Sequence, residues 1–430
     1  MKKLISLSLL ILCVSVFAQA QDTNQVRQYI NELSSPKMHG RGYAYHGDSI
    51  AAKYISEQFQ RMDIKTFYLP YDFNVYAMEG PVSAKLNNQE LTPWQDYALA
   101  PYSHSAKETF SIINIEPTVF CNDKVFKKFC MKNRKSLQNA LLYLDLTACK
   151  DGHEQGAVKR KLALLHNFNG LPFRGLLVGV KDIPVWSFNY AQKPCDYVLT
   201  YIKNNLIDKN SKSITLSYKN EIRNHQTQDV IGVIPGTEVP DSVIIIGGHY
   251  DHLGQMGDAV LFPGAHDNAS GTATVLDMAQ YFKENPLRYT IYFVLFSGEE
   301  AGLMGSFAFV KNPPIELSKV KFMLNLDLLC GGDDGFTVVN SDGPGADKFF
   351  QSLTTMNEEN NLVTAVKPRK NAANSDHYPF IEKGVPAVFI YVMGGKTGGY
   401  HQPDDTSENA TLSAYPGIFK LLVKGLESIR

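Results

Sequence analysis

Two regimes of hydrophobic patterning divide the chain. From residue 228 onward, apolar runs of strand length alternate with segments of helical period. Val230 to Ile234, Val243 to Ile246, Tyr289 to Phe296, Lys321 to Leu326 and Ala387 to Val392 are rich in β-branched and aromatic residues. Runs apolar on both sides predict strands covered on both faces. Between them, Gly271 to Lys283 places Val275, Leu276, Ala279 and Phe282 on one side, and Ala301 to Val310 predicts a second helix. Alternation of this kind predicts an α/β fold, a mostly parallel central sheet with helices on both faces. Earlier in the chain, the loop Gly40-Arg41-Gly42 precedes a helix predicted over Asp48 to Arg61. Asp48 is its expected N-cap, and Ile50, Tyr54, Ile55 and Phe59 form its apolar stripe.

Residues 76–220 read differently. Short mixed segments with many aromatics and scattered lysines give no long helical period, which predicts a mostly β region with a few helices. Leu141 to Asp145 and Arg174 to Val180 are its clearest strands. The expected organisation is therefore a segment 1–20, a catalytic domain built from 21–75 and 221–430, and an inserted domain over 76–220. Lys2 and Lys3, the apolar run Leu4 to Phe17 and Ala18-Gln19-Ala20 make residues 1–20 read as a signal peptide. The run is too short for a permanent span, and Leu12 stands before Cys13 where a lipid anchor wants a small residue. Export to a periplasmic or extracellular location without a stable membrane anchor is the expectation.

In an open parallel sheet, ligands bind beyond the carboxyl ends of the strands, and each apolar run here ends in polar residues. Val243 to Ile246 leads to His249, Asp251 and His252; Tyr289 to Phe296 leads to Glu299 and Glu300; Lys321 to Leu326 leads to Asp327. Asp267 and Asn268 precede the helix at Gly271, and a glycine loop after Val392 leads to Tyr400 and His401. Singly, each has an ordinary structural explanation as a loop histidine, a turn aspartate or a helix cap. Together they put two histidines and several carboxylates at one sheet edge in apolar surroundings, where unpaired charge is costly. A cation is the simplest partner, and imidazole with carboxylate but no thiolate suits catalytic zinc. Asp251 stands where it can take the second ring proton of His249.

The runs Gly248 to Gly254, Gly264 to Gly271, Phe296 to Ser306, Asn325 to Asp327 and Ser375 to Phe380 resemble, as a set, the co-catalytic zinc peptidases. That family contains secreted bacterial leucyl aminopeptidases, glutamate carboxypeptidases and, as relatives, glutaminyl cyclases. The resemblance covers about 228–406 and the segment near Arg41 to Arg61. It implies two zinc ions per chain, with His249 and Asp327 holding one, Glu300 and His401 the other, and Asp267 bridging. It further implies Glu299 as general base, Asp251 as the partner of His249, and Tyr400 as a stabiliser of the tetrahedral intermediate. Leu328-Leu329-Cys330-Gly331 departs from the family, which more often has methionine and a polar residue after the aspartate. The inserted region sits where many relatives carry a protease-associated β domain, and a divergent lid-like insertion without that fold is the alternative. His252, His266, Asp376 and His377 are expected to support the site from its surroundings.

The implied activity is a secreted exopeptidase, an aminopeptidase acting on the N-terminal residues of peptides. Alternatives are a carboxypeptidase or dipeptidase of the same family, for which Arg369 and Lys370 are the available carboxylate clamps, and a glutaminyl cyclase. A net charge of −1 supplies no basic footprint for nucleic acid. Beyond Cys13, the cysteines are Cys121, Cys130, Cys149, Cys195 and Cys330. Their spacing fits no zinc ribbon. In an oxidising compartment Cys121 with Cys130, or Cys149 with Cys195, are candidate pairs, and Cys330 reads as a buried thiol. Oligomeric state is not written in the sequence.

Overall fold

The computed structural model describes residues 23–163, 171–187 and 194–429. The segment read as a signal peptide lies outside them. Among the described residues no helix is long and apolar enough to cross a membrane.

All described strands join one large mixed sheet except Gln255–Met256 and Val260–Leu261, which pair with each other. Its order runs Val366–Arg369, Phe336–Val339, Ala387–Val392, Val320–Leu326, Val239–His249, Tyr289–Phe296, Ser213–Ile234, Ala106–Asn114, Ala140–Asp145, Gly175–Val180, Val198–Lys203 and Tyr97–Leu99. The four central strands from Ala387–Val392 to Tyr289–Phe296 are mutually parallel, so their carboxyl ends share one edge. Alternate residues of these strands enter different apolar clusters. Ile244, Ile246, Ile291 and Phe293 join one, while Val243, Ile245, Val294 and Phe296 join another. The first is closed by Ser270–Glu284, Ala346–Asn360 and Tyr415–Glu427, and the second by Met304–Lys311 and His377–Glu382. Both faces are dry, as the continuous apolar runs predict.

The long strand Ser213–Ile234 joins the two halves of the chain. Lys65–Leu86 pairs antiparallel with it along most of its length. Its other edge takes Ala106–Asn114 at one end and Tyr289–Phe296 at the other. Most buried apolar residues between 76 and 218 pack into a third apolar cluster. Strands hold more residues of this region than helices do, but the two are interleaved. Pro117–Cys121, Asp123–Lys132, Arg134–Leu137 and Gly152–Ala163 are helices, and Ala140–Asp145, Gly175–Val180 and Val198–Lys203 form parallel pairs. Helices this short complete too few turns to show a period.

Two helix starts also differ from expectation. Gly47–Arg61 has His46 at its N-cap position without a side-chain capping hydrogen bond, and Asp48 is buried instead, its Oδ2 receiving Thr227 Oγ1 at 2.7 Å and lying 2.7 Å from His225 Nε2. The helix expected from Ala301 begins at Met304, because Gly302 and Leu303 donate to the Glu299 carbonyl in a turn. All five described cysteines are free thiols, and Cys330 is buried.

Candidate metal centre

His249 is the last residue of its strand, and Asp327 and the Glu299-Glu300 turn follow theirs directly. Parallel pairing therefore delivers these groups to one place. His249 Nε2 stands 3.4 Å from Asp267 Oδ1, 3.4 Å from Asp327 Oδ1 and 4.0 Å from Glu299 Oε2. His401 Nε2 stands 3.2 Å from Asp267 Oδ2 and 3.3 Å from Glu300 Oε2. Asp267 thus presents one oxygen to each histidine. Ligand atoms of His249, Glu299 and Asp327 lie within 4.8 Å of one another, and so do those of His252, Asp267 and Glu300.

The centre is buried, and its charges are not balanced by protein groups. Asp327 Oδ1, His252 Nε2 and His401 Nε2 are buried without a hydrogen-bond partner. Burial alone disfavours a charged imidazole, yet Glu300 and Asp267 outweigh it and raise His401 to about 11. Burial likewise pushes Asp267 up, but hydrogen bonding to His249 and His401 holds it well below the usual carboxylate range. The carboxylates demand local positive charge, and divalent cations supply it without protonating the ligands. The residues present fit a two-cation site. Glu299 behaves oppositely. Burial, reinforced by Glu300, Asp376 and Asp327, raises its carboxyl well above the ordinary value despite His249.

Surrounding groups fix the ligands. His249 Nδ1 lies 3.1 Å from the Asp251 carbonyl and 3.6 Å from its carboxylate. That carboxylate instead accepts from the Glu299 and Glu300 amides, both at 3.2 Å, and from Tyr43 Oη at 2.5 Å. It holds the glutamate turn as well as facing the histidine. His252 Nδ1 is 2.8 Å from Glu300 Oε1, Ser375 Oγ donates to Asp327 Oδ2 at 2.9 Å, and Asp405 accepts from the His266 and Asp267 amides. The ring of Tyr400 stacks on His401 at 3.8 Å. His266 accepts from the Cys330 amide, and His377 packs against Phe389.

Arg41 is fully buried behind the Asp267 loop. Its guanidinium donates to the carbonyls of Leu33, Tyr250, Pro263, Gly264 and Asp267. Gly40 and Gly42 let this loop press onto Gly254, since a Cβ at Gly42 would stand 2.3 Å from Gly254 Cα. The inserted region reaches the site too. Ser187 Oγ lies 3.1 Å from His401 Nδ1, and Trp94 Nε1 donates to Gln402. Of these supporting residues, Arg41, Tyr43, Ser187 and Asp405 carried no assigned role in the sequence; the first two flank the glycine loop and Asp405 follows His401 closely, which were the available signals.

Buried imidazoles and carboxylates at the carboxyl ends of parallel strands define a metallohydrolase-type centre. Residues 229–424 match the model of Peptidase family M28. A probable leucine aminopeptidase of Arthroderma otae is 31% identical over 189 residues, 40% of this chain and 50% of the relative. Aminopeptidase YwaD of Bacillus subtilis is 28% identical over 207 residues, 46% of this chain and 43% of the relative. The chain spans about half the length of the curated relatives it matches. Among solved structures, a zinc aminopeptidase from Bacillus subtilis superposes with a TM-score of 0.70 at 18% identity, covering 94% of this chain and 95% of that one. A peptidase M28 precursor from Shewanella amazonensis gives 0.68 at 18% identity, covering 94% and 92%. These likenesses establish a shared fold.

Proposed function

We propose that the chain is a zinc-dependent aminopeptidase that removes N-terminal residues from peptides. The observation that carries this reading is the pairing of an acidic, buried double ligand group with a separate glutamate. His249, Asp327 and Asp267 would hold one zinc, and His401, Glu300 and Asp267 the other. Bound zinc supplies Lewis acidity, polarising the scissile carbonyl and bringing the pKa of water to about 7. Glu299 Oε2 accepts a proton from the attacking water and returns it to the leaving nitrogen. Its raised pKa suits it to carry that proton. Tyr400 borders the same cavity and is assigned to the developing oxyanion. The carboxylates of the centre also favour a free α-ammonium group over a blocked one, and the relatives named above are called aminopeptidases.

Residues 21–75 and 221–430 are proposed as the catalytic unit. Residues 76–220 are proposed as an insertion of the protease-associated kind that borders the cleft and steadies the His401 loop through Ser187. Export follows from the reading of residues 1–20. The test is zinc content by elemental analysis together with hydrolysis of aminoacyl anilides, N-blocked peptides and peptides beginning with glutamine. Zinc-dependent release of unblocked N-terminal residues is expected. Cleavage confined to blocked peptides would refute the proposal, and cyclisation without hydrolysis would assign an acyltransferase instead.

A further inference from the structure

We propose that Arg369 makes the enzyme selective for substrates that carry a carboxylate beside the scissile bond. The inference rests on the peptidase reading above and names the substrate class of that site. Arg369 lines the same cavity, about 300 Å³, as His249, Glu299 and Asp327. Among the described residues lining it, Arg369 is the only lysine or arginine.

Its main chain is fixed. Arg369 ends the edge strand Val366–Arg369, and its carbonyl accepts from both the amide and the Oγ of Ser341 at 3.2 Å. Its side chain is steadied by one neutral contact. Nη1 donates to Tyr391 Oη at 3.2 Å, with the guanidinium carbon 5.8 Å from that ring. Among the described residues no carboxylate forms an ion pair with it. Arg174 pairs with Glu108, Arg223 with Glu79 and Arg288 with Glu238, whereas the exposed Arg61, Arg134 and Arg160 form no ion pair with a described residue; what sets Arg369 apart is its place on the reaction cavity. A guanidinium fork matches a carboxylate through two parallel N–H bonds, and contact with Tyr391 occupies only one nitrogen. An arginine held on a fixed strand end at a reaction cavity, without its own acid, is arranged to receive one from the substrate.

Two substrate groups share that chemistry: the side chain of an N-terminal aspartate or glutamate, and the α-carboxylate of a dipeptide. Matched pairs separate them. With the zinc-loaded full chain, kcat/KM is measured for glutamyl against glutaminyl p-nitroanilide, and for Leu-Gly against Leu-Gly-amide. A charge-assisted pair implies a preference of about tenfold or more for the acid in one of these pairs. The pair in which it occurs identifies the source. In Arg369→Gln the acid-to-amide ratio falls to about one, while R369K, which keeps charge without the fork, retains an intermediate ratio. Zinc content and unfolding midpoint report that the variants are intact. Wild-type ratios at or below one in both pairs, or an acid preference unchanged in R369Q, overturn the proposal. Leucyl p-nitroanilide serves as the neutral control. If it is hydrolysed by the wild type while neither acid is preferred, only the carboxylate inference fails. If no substrate is hydrolysed, the peptidase reading itself fails.

Discussion

Replacing Arg41 by lysine keeps a basic side chain and removes its geometry. The native guanidinium is fully buried, and burial lowers its pKa to about 10 against the opposing pull of Asp405, Asp267, Asp251 and Glu300. It therefore stays charged at neutral pH. The difference lies in donors. Arg41 satisfies five backbone carbonyls at 2.7–3.2 Å, whereas a lysine ammonium offers three. Two carbonyls are left dry and unpaired. At about 1–3 kcal/mol each the loss is about 2–6 kcal/mol, a large share of a typical stability of about 5–15 kcal/mol. For a chain of 430 residues the shift is about 1 °C per kcal/mol, so the unfolding midpoint should fall by about 2–6 °C. Because two of the carbonyls belong to Gly264 and Asp267, zinc affinity should fall as well. Calorimetry and chelator competition read the two effects. An Arg41→Lys protein with the wild-type midpoint and wild-type zinc affinity would refute the view that this side chain holds the Asp267 loop.

Glu299→Gln should lower kcat by about 100-fold or more while zinc content measured by elemental analysis stays near two per chain; retained turnover would remove Glu299 from the proton path. Ser187→Ala should weaken binding at the His401 site by about 10–100-fold in chelator titrations, with Ser187→Thr recovering most of it. His377 is depressed to about 4, chiefly by burial and secondarily by Arg369, against a backbone hydrogen bond that raises it. With a folded pKa below the unfolded value of about 6.5, its contribution is present above pH 6.5 and lost as pH falls toward 4, about 3 kcal/mol in all. Urea midpoints across that window should accordingly be flatter for His377→Phe than for the wild type.

The part of the chain from residue 228 onward was legible because its central strands are buried on both faces. Tyr289–Phe296 and Ala387–Val392 have the bounds that the apolar runs imply, since every residue of such a strand must be apolar. The inserted half failed that rule. Its helix Asp123–Lys132 buries only Phe126 and Cys130, so two apolar positions had to speak for a whole element. Asp48 was misread for a different reason. A helix start with an aspartate normally signals a cap, but here the aspartate points across to His225 and Thr227, partners nearly 180 positions away.

The same distinction governs the site. His249, Glu299, Glu300 and Asp327 stand at or just after strand ends, where local pattern and parallel pairing suffice to collect them. Asp267 also requires its loop to be held in place, and the groups that hold it come from elsewhere: Arg41 contacts its carbonyl across 226 positions and Asp405 its amide across 138. No periodicity relates such pairs; they meet only once the sheet is assembled. Ser187 meets His401 across 214 positions from within the insertion, so the last ligand depends on both halves of the chain. It follows that cutting away the insertion should impair the His401 and Glu300 side of the centre before the His249 and Asp327 side. The groups at strand ends are legible in the sequence, while the rigidity of the candidate centre is a property of the folded whole.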